Sequence, residues 1–139
     1  SKASWRDAVK SKRCLVPASG YYEWVVEDGV KTPHYIHSEK TLAFAGLYSW
    51  WRAVDTDPWI LTATILTMPT VPELAAIHDR NPVPIPEDFW ATWLDPNNAG
   101  SQNLVDAAVA AAIPVAASLS EYRVGPVKGN GPELVTRLN

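Results

Sequence analysis

The chain has 139 residues, 47% hydrophobic and 19% charged, with a net charge of −3; this balance excludes a disordered tail or a coiled coil and fits one compact domain over residues 1–139. A single cysteine, Cys14, excludes an internal disulfide or a zinc cluster, and the absence of a global basic field confines any nucleic-acid binding to a local cluster of Arg, Lys and aromatics. Twelve prolines cut the chain into short segments, no apolar run reaches the roughly 20 residues of a membrane span, and no signal-peptide pattern opens it, so a cytoplasmic protein of short strands and shaped loops is expected.

In chain order, "SKASWRDAV" has no initiator Met and reads as the start of a processed or partial product. Ser4 and Asp7 resemble a capping box for a short helix ending near Lys12. Residues 14–16 and 20–29 read as strands, with Asp28-Gly29 as a two-residue hairpin turn and residues 31–38 as the returning strand. Residues 41–50 are apolar enough for a buried strand, 52–58 form a surface loop, and 59–67 alternate like a strand with one wetter face. A second capping box, Thr70 to Glu73, opens a short helix through Ile77 that delivers "HDRNP" at its end. A third helix over 86–94 carries Phe89, Trp90, Trp93 and Leu94 on one stripe, and an Ala-rich fourth spans 101–113. From Pro114 onward the chain is expected to return to strand. Strands and helices mix without a regular βαβ rhythm, which points to an α+β fold.

Glu23 is the most conspicuous titratable residue, because it interrupts an aromatic, β-branched strand. Alternation puts it on one face with Tyr21 and Val25, and Trp24 on the other with Tyr22 and Val26. An inward face suits a general acid-base, and an outward one makes Glu23 part of a solvated face. His78, followed by Asp79 and Arg80, is either a site residue or a salt-bridged helix terminus. His34 and His37 read as ordinary surface or edge residues. Of the seven tryptophans, about five are expected to serve the core on the general preference of Trp for burial. Trp24, Trp50 and Trp51 are candidates for stacking on a ligand near Arg52 or Arg80. Phosphate-binding glycine loops and the zinc-protease and serine-hydrolase motifs are absent.

Together, "RCLVPASGYYEW", "KTPHYIH", "LAFAGLYSWW", "TATILT", "IHDRNPVPIP", "FWATWLDP" and "GNGPELV" resemble, in order and over almost the whole chain, the SRAP family, the SOS-response-associated peptidases that sense abasic sites in DNA. Asn81 stands where that family usually has Met. The resemblance implies an α+β fold around a strongly bent, barrel-like antiparallel sheet with short flanking helices and a positive groove for single-stranded DNA. It implies a catalytic set of an N-terminal Cys, an Asn, a Glu and a His. Glu23 and His78 match the last two, and Trp24, Thr67 and Arg80 fall on positions like the family's DNA-contacting or site-lining residues. The family's opening Met-Cys-Gly-Arg and its Asn motif are not in this sequence.

That chemistry needs amine and thiol on one residue, since the α-amine takes the aldehyde of a ring-opened abasic site and the thiol closes a thiazolidine. Cys14, peptide-bonded to Arg13, has no free α-amine and is expected in the core. The expected function is therefore covalent capture of abasic sites in single-stranded DNA by a protein that also removes its own initiator Met. No metal or organic cofactor, no membrane and a monomeric state are implied, with the missing amino-terminal segment supplied by the same precursor. The alternative is a truncated, catalytically inactive form that binds single-stranded DNA or serves structurally; a third reading is a Glu/His hydrolase of a small substrate.

Overall fold

The computed structural model describes residues 2–138, with side chains from Trp5 onward. The fold is α+β: helix α1 (Lys2–Ser11), strands β1 (Arg13–Glu27), β2 (Val30–Trp51), β3 (Ile60–Ile65), β4 (Thr67–Pro69) and β5 (Arg80–Pro82), helices α2 (Glu87–Leu94) and α3 (Gln102–Ala117), and strand β6 (Ser120–Arg123). Among the described residues no helix is long and apolar enough to cross a membrane.

The expected separate strands on either side of the first turn are two long ones. β1 and β2 pair antiparallel from Arg13↔Leu47 to Glu27↔Val30. Asp28 (φ 50°) and Gly29 (φ 79°) are both left-handed, the two-residue geometry that matches strand twist. One irregularity breaks the ladder, leaving Ser19 alone against Ser38–Thr41, and such insertions bend a sheet. Gly20 permits the close approach there, since a Cβ on it would lie 2.5 Å from the Ile36 carbonyl oxygen and 2.6 Å from the Tyr35 ring. The other edge of β2 pairs with β6 through His34–His37 and with β3 through Gly46–Trp51. The sheet is curved and antiparallel, as expected, without closing.

At Leu66 the chain leaves this sheet for the small β4–β5 pair. A triangle of backbone bonds fixes the crossing: Leu66 N–H donates to Ala45 O, Ala45 N–H to Val83 O and Val83 N–H to Leu66 O. The core lies beneath, where Ile36, Ala45, Leu47, Met68, Val83 and Trp93 are buried. Leu104, Ala108, Ala112 and Ala116 recur every fourth residue on the buried face of α3, and the three alanines let the helix sit close.

Several local expectations are corrected. α1 begins at Lys2, so Ser4 lies inside it and Asp7 outside its first turn; the capping contact of Ser4 falls on a side chain outside the described ones. The second capping box is a 3-10 turn over Pro72–Leu74 with no side-chain cap. α3, capped by Ser101 at Leu104 N–H, runs through Pro114 to Ala117. The missing Pro114 N–H leaves the carbonyl of Ala110 to solvent, which reaches this exposed residue. Strand returns only at Ser120. Leu94 is exposed, β3 is largely exposed on both faces, and only Trp93 of the tryptophans is fully buried. Trp90 is half-buried, and Trp5, Trp24, Trp50, Trp51 and Trp59 are each about half exposed.

Candidate functional site

β1 carries Glu23 and Trp24 on opposite faces, as alternation requires. Glu23 is half-buried on the more covered face with Tyr21 and Val25, while Trp24 is 48% exposed on the other. Tyr21 meets Phe44 edge-on at 5.8 Å between ring centroids. Burial, reinforced by the Glu23 charge, pushes the Tyr21 phenol well above its ordinary value. It therefore stays a proton donor next to the carboxylate throughout the neutral range.

The β4–β5 turn gathers the other three expected residues. Arg80 donates from Nε to Thr67 Oγ1 at 3.0 Å and from Nη2 to the Thr67 carbonyl at 2.7 Å. Its exposed guanidinium is thus anchored along one edge and aims its remaining donors outward, as anion binding requires. His78 stands at the turn with Nδ1 accepting from Arg80 N–H at 3.1 Å and 3.1 Å from Asp79 Oδ1. The first contact needs a bare Nδ1 and the second an Nδ1–H, so they call for different tautomers of the ring. Its Nε2 has no partner among the described residues. No hydrogen bond or ion pair among the described residues joins Glu23 or Trp24 to this group.

Asn81 explains how the turn is held. It is 3% exposed, accepts from Val71 N–H at 3.2 Å and donates to the Pro82 carbonyl at 2.7 Å. The buried amide is paired at both ends by backbone, and it ties the strand carrying Arg80 to the segment before the 3-10 turn. The deviation from Met at this position was the available sequence signal.

Other expectations shift. Cys14 is half-buried rather than in the core, and burial pushes its thiol up. Arg13 cannot activate it. That guanidinium is itself buried, and it donates to the carbonyls of Val9, Lys10, Trp93, Asp95 and Asn98 at 2.6–2.9 Å. Trp50 and Trp51 sit at the open end of β2, and Arg52 covers Trp59 at 4.4 Å while bound to Asp55. His37 is half-buried and stacks on Tyr35. His34 is not a surface residue: it is 6% exposed, with Nδ1 2.7 Å from Glu121 and Nε2 3.5 Å from Glu27. An apolar cleft of about 850 Å³ between α1, β3 and the start of α3, lined by Trp5, Val9, Leu47, Ile65 and Val105 among others, contains none of the five expected site residues.

The family model described as SOS response associated peptidase (SRAP) matches residues 1–128. The chain belongs to the SRAP family. It is 38% identical over 100 residues to abasic site processing protein YoqW of Bacillus subtilis, covering 70% of this chain and 44% of that protein. It is 28% identical over 106 residues to abasic site processing protein HMCES of Xenopus tropicalis, covering 62% of this chain and 32% of that one. A crystal structure of a Bacteroides thetaiotaomicron protein superposes with a TM-score of 0.79 at 27% identity, covering 98% of this chain and 61% of the other. This SRAP chain spans less than half the length of those curated relatives.

Proposed function

We propose that the protein containing this SRAP chain processes abasic sites in single-stranded DNA by covalent capture. The free α-amine of an amino-terminal cysteine adds to the aldehyde carbon of the opened sugar. The aldehyde oxygen leaves as water, giving an imine, and the thiol adds its sulfur to the imine carbon and its proton to the nitrogen to close a thiazolidine. Glu23 accepts and returns the protons of these steps. His78 assists sugar-ring opening and reversal through Nε2, Arg80 holds a phosphate, and Trp24 packs against an unstacked base. The same cysteine is exposed by removal of the initiator Met. The observation that carries this reading is the β4–β5 turn, where an outward guanidinium and an imidazole with a free Nε2 are presented together in a chain whose relatives are named for abasic sites.

The test is full-length gene product incubated with single-stranded DNA bearing one abasic site, resolved on a denaturing gel. An adduct is expected, formed about 10²-fold more slowly by Glu23→Gln and His78→Ala, the usual worth of positioned acid-base groups. Wild-type rates in both variants would remove the assigned roles. The 139-residue chain alone, whose only thiol is Cys14, is expected to bind salt-dependently without an adduct.

A further inference from the structure

The antiparallel register sorts the side chains of β1, β2 and β6 onto two faces of one sheet. Glu23 pairs with His34, which pairs with Arg123, and alternation puts Glu27 and Glu121 on that same face. Trp24 pairs with Pro33, Val26 with Lys31, and Tyr22 with Tyr35, whose other partner is Tyr122. These six point from the opposite face. One face therefore carries three carboxylates, and within the paired stretches 20–26, 31–37 and 120–122 the other carries none.

The second face is also a continuous aromatic row. Ring centroids step from Trp24 to Tyr22 at 6.4 Å, to Tyr35 at 5.3 Å and to Tyr122 at 5.7 Å, and the Arg137 guanidinium lies 5.6 Å from the Tyr122 centroid. The 3-10 turn Pro132–Val135 lies against the middle of the row, where the Tyr22 hydroxyl donates to Leu134 O at 3.1 Å and the Tyr122 hydroxyl to Val135 O at 2.8 Å. The two ends stay open. Trp24 is 48% exposed, and Lys31 and Arg137 are exposed with no ion pair among the described residues. Arg123, on the carboxylate face, is instead paired with Glu27 at 3.0 Å.

A polyanion is repelled by the three carboxylates and attracted by unpaired cations, so this acidic chain offers single-stranded DNA one of its two sheet faces and not the other. Lys31 is the diagonal neighbour of Trp24 across the strand pair, about 7–8 Å away at the backbone, so a base stacked on Trp24 places its phosphate beside Lys31. β1 is the outermost strand on this side, and a nucleotide that turns over its margin passes from Trp24 to Glu23. We propose that the DNA strand lies on the Trp24 face, with Lys31 and Arg137 as phosphate contacts at the two ends of the aromatic row. This rests on the DNA-binding part of the reading above, and it makes no use of covalent capture.

The test is binding of an unmodified oligothymidylate strand to the 139-residue chain across a range of salt. Lys31→Gln and Arg137→Gln are each expected to weaken binding about fivefold at about 0.1 M salt and to lower the salt slope by about 0.7, the single-strand value per neutralised phosphate. Arg137→Lys keeps the charge and restores the slope, which separates a phosphate contact from the packing on Tyr122. Arg123→Gln, on the carboxylate face, leaves the slope where it is. Trp24→Ala weakens oligothymidylate binding and leaves unchanged the binding of inorganic polyphosphate, a polyanion without bases. An unmoved slope in folded Lys31→Gln or Arg137→Gln, an equal fall in Arg123→Gln, or a folded chain that does not bind overturns the proposal. In the full-length protein, an adduct formed at the usual rate while these slopes stay unmoved would remove this face and leave covalent capture standing. Slopes that fall as expected without any adduct would uphold the face and sink the capture reading.

Discussion

Arg13 and Arg80 both donate to backbone carbonyls, and the difference between them separates a cation used up by the fold from one left exposed. Arg13 is 8% exposed and spends its donors on the carbonyl ends of α1 and α2 and the loop beyond, where unpaired oxygens and the negative end of each helix dipole converge. Nothing is left for a ligand. Arg80 is exposed and anchors only Nε and one Nη on Thr67, so its orientation is fixed while its charge stays available. In a chain with no global basic field, such local placement is what a phosphate contact has to rest on.

The largest break in that comparison is Arg13→Met. It strips five carbonyls, one at a buried contact and four at part-buried ones, of their donors, and we expect a loss of about 4 kcal/mol, a large part of a typical domain's stability. Denaturant unfolding of the 139-residue chain measures it. Arg13→Lys recovers only part, because an ammonium has three donors and no planar fork. A cost under about 1 kcal/mol, the scale of an exposed pair, would mean that Arg13 is no more structural than Arg80.

Asn81→Leu comes next, since it keeps the branched side-chain shape but strips Val71 N–H and the Pro82 carbonyl of their partner. A loss of about 1–3 kcal/mol is expected, together with weaker DNA binding as the Arg80 strand loosens. Arg80→Gln sharpens the contrast from the other side. Stability should change by less than about 0.5 kcal/mol, while single-strand affinity falls regardless of sequence and the salt slope drops by about one. Unchanged salt dependence would take Arg80 out of the phosphate-binding role.

The difference between the two arginines also marks how far the sequence could be read. Strand alternation at Tyr21–Val26, the Asp28-Gly29 turn and the 86–94 helix are local patterns, and they were legible. The family blocks pointed to Glu23, His78 and Arg80 by position. The five partners of Arg13 are backbone carbonyls on α1, on α2 and in the loop beyond it, and no residue type announces them. His34 looked like an edge residue because its partner Glu121 lies 87 positions away. β1 looked like two strands because Pro17 suggests a break, yet pairing runs through it. Helix α3 outlasts Pro114 because a run of alanines pays little conformational entropy to stay helical.

The smallest expected effect concerns Tyr21, whose phenol is raised by burial and by the charge of Glu23. A phenol that holds its proton more tightly when folded adds stability that is fully present below its unfolded value, about 10, and lost as pH rises beyond it. Tyr21→Phe keeps the ring against Phe44 and removes the titration. Near pH 7 its stability should lie within about 1 kcal/mol of wild type, the net worth of one hydroxyl's interactions. Above pH 10 the wild type should lose stability more steeply than the variant, read from thermal midpoints across the alkaline range. Parallel curves would mean that the Tyr21 hydroxyl reaches solvent when folded, and Glu23 would then lack the covered surroundings that the acid-base role proposed for it requires.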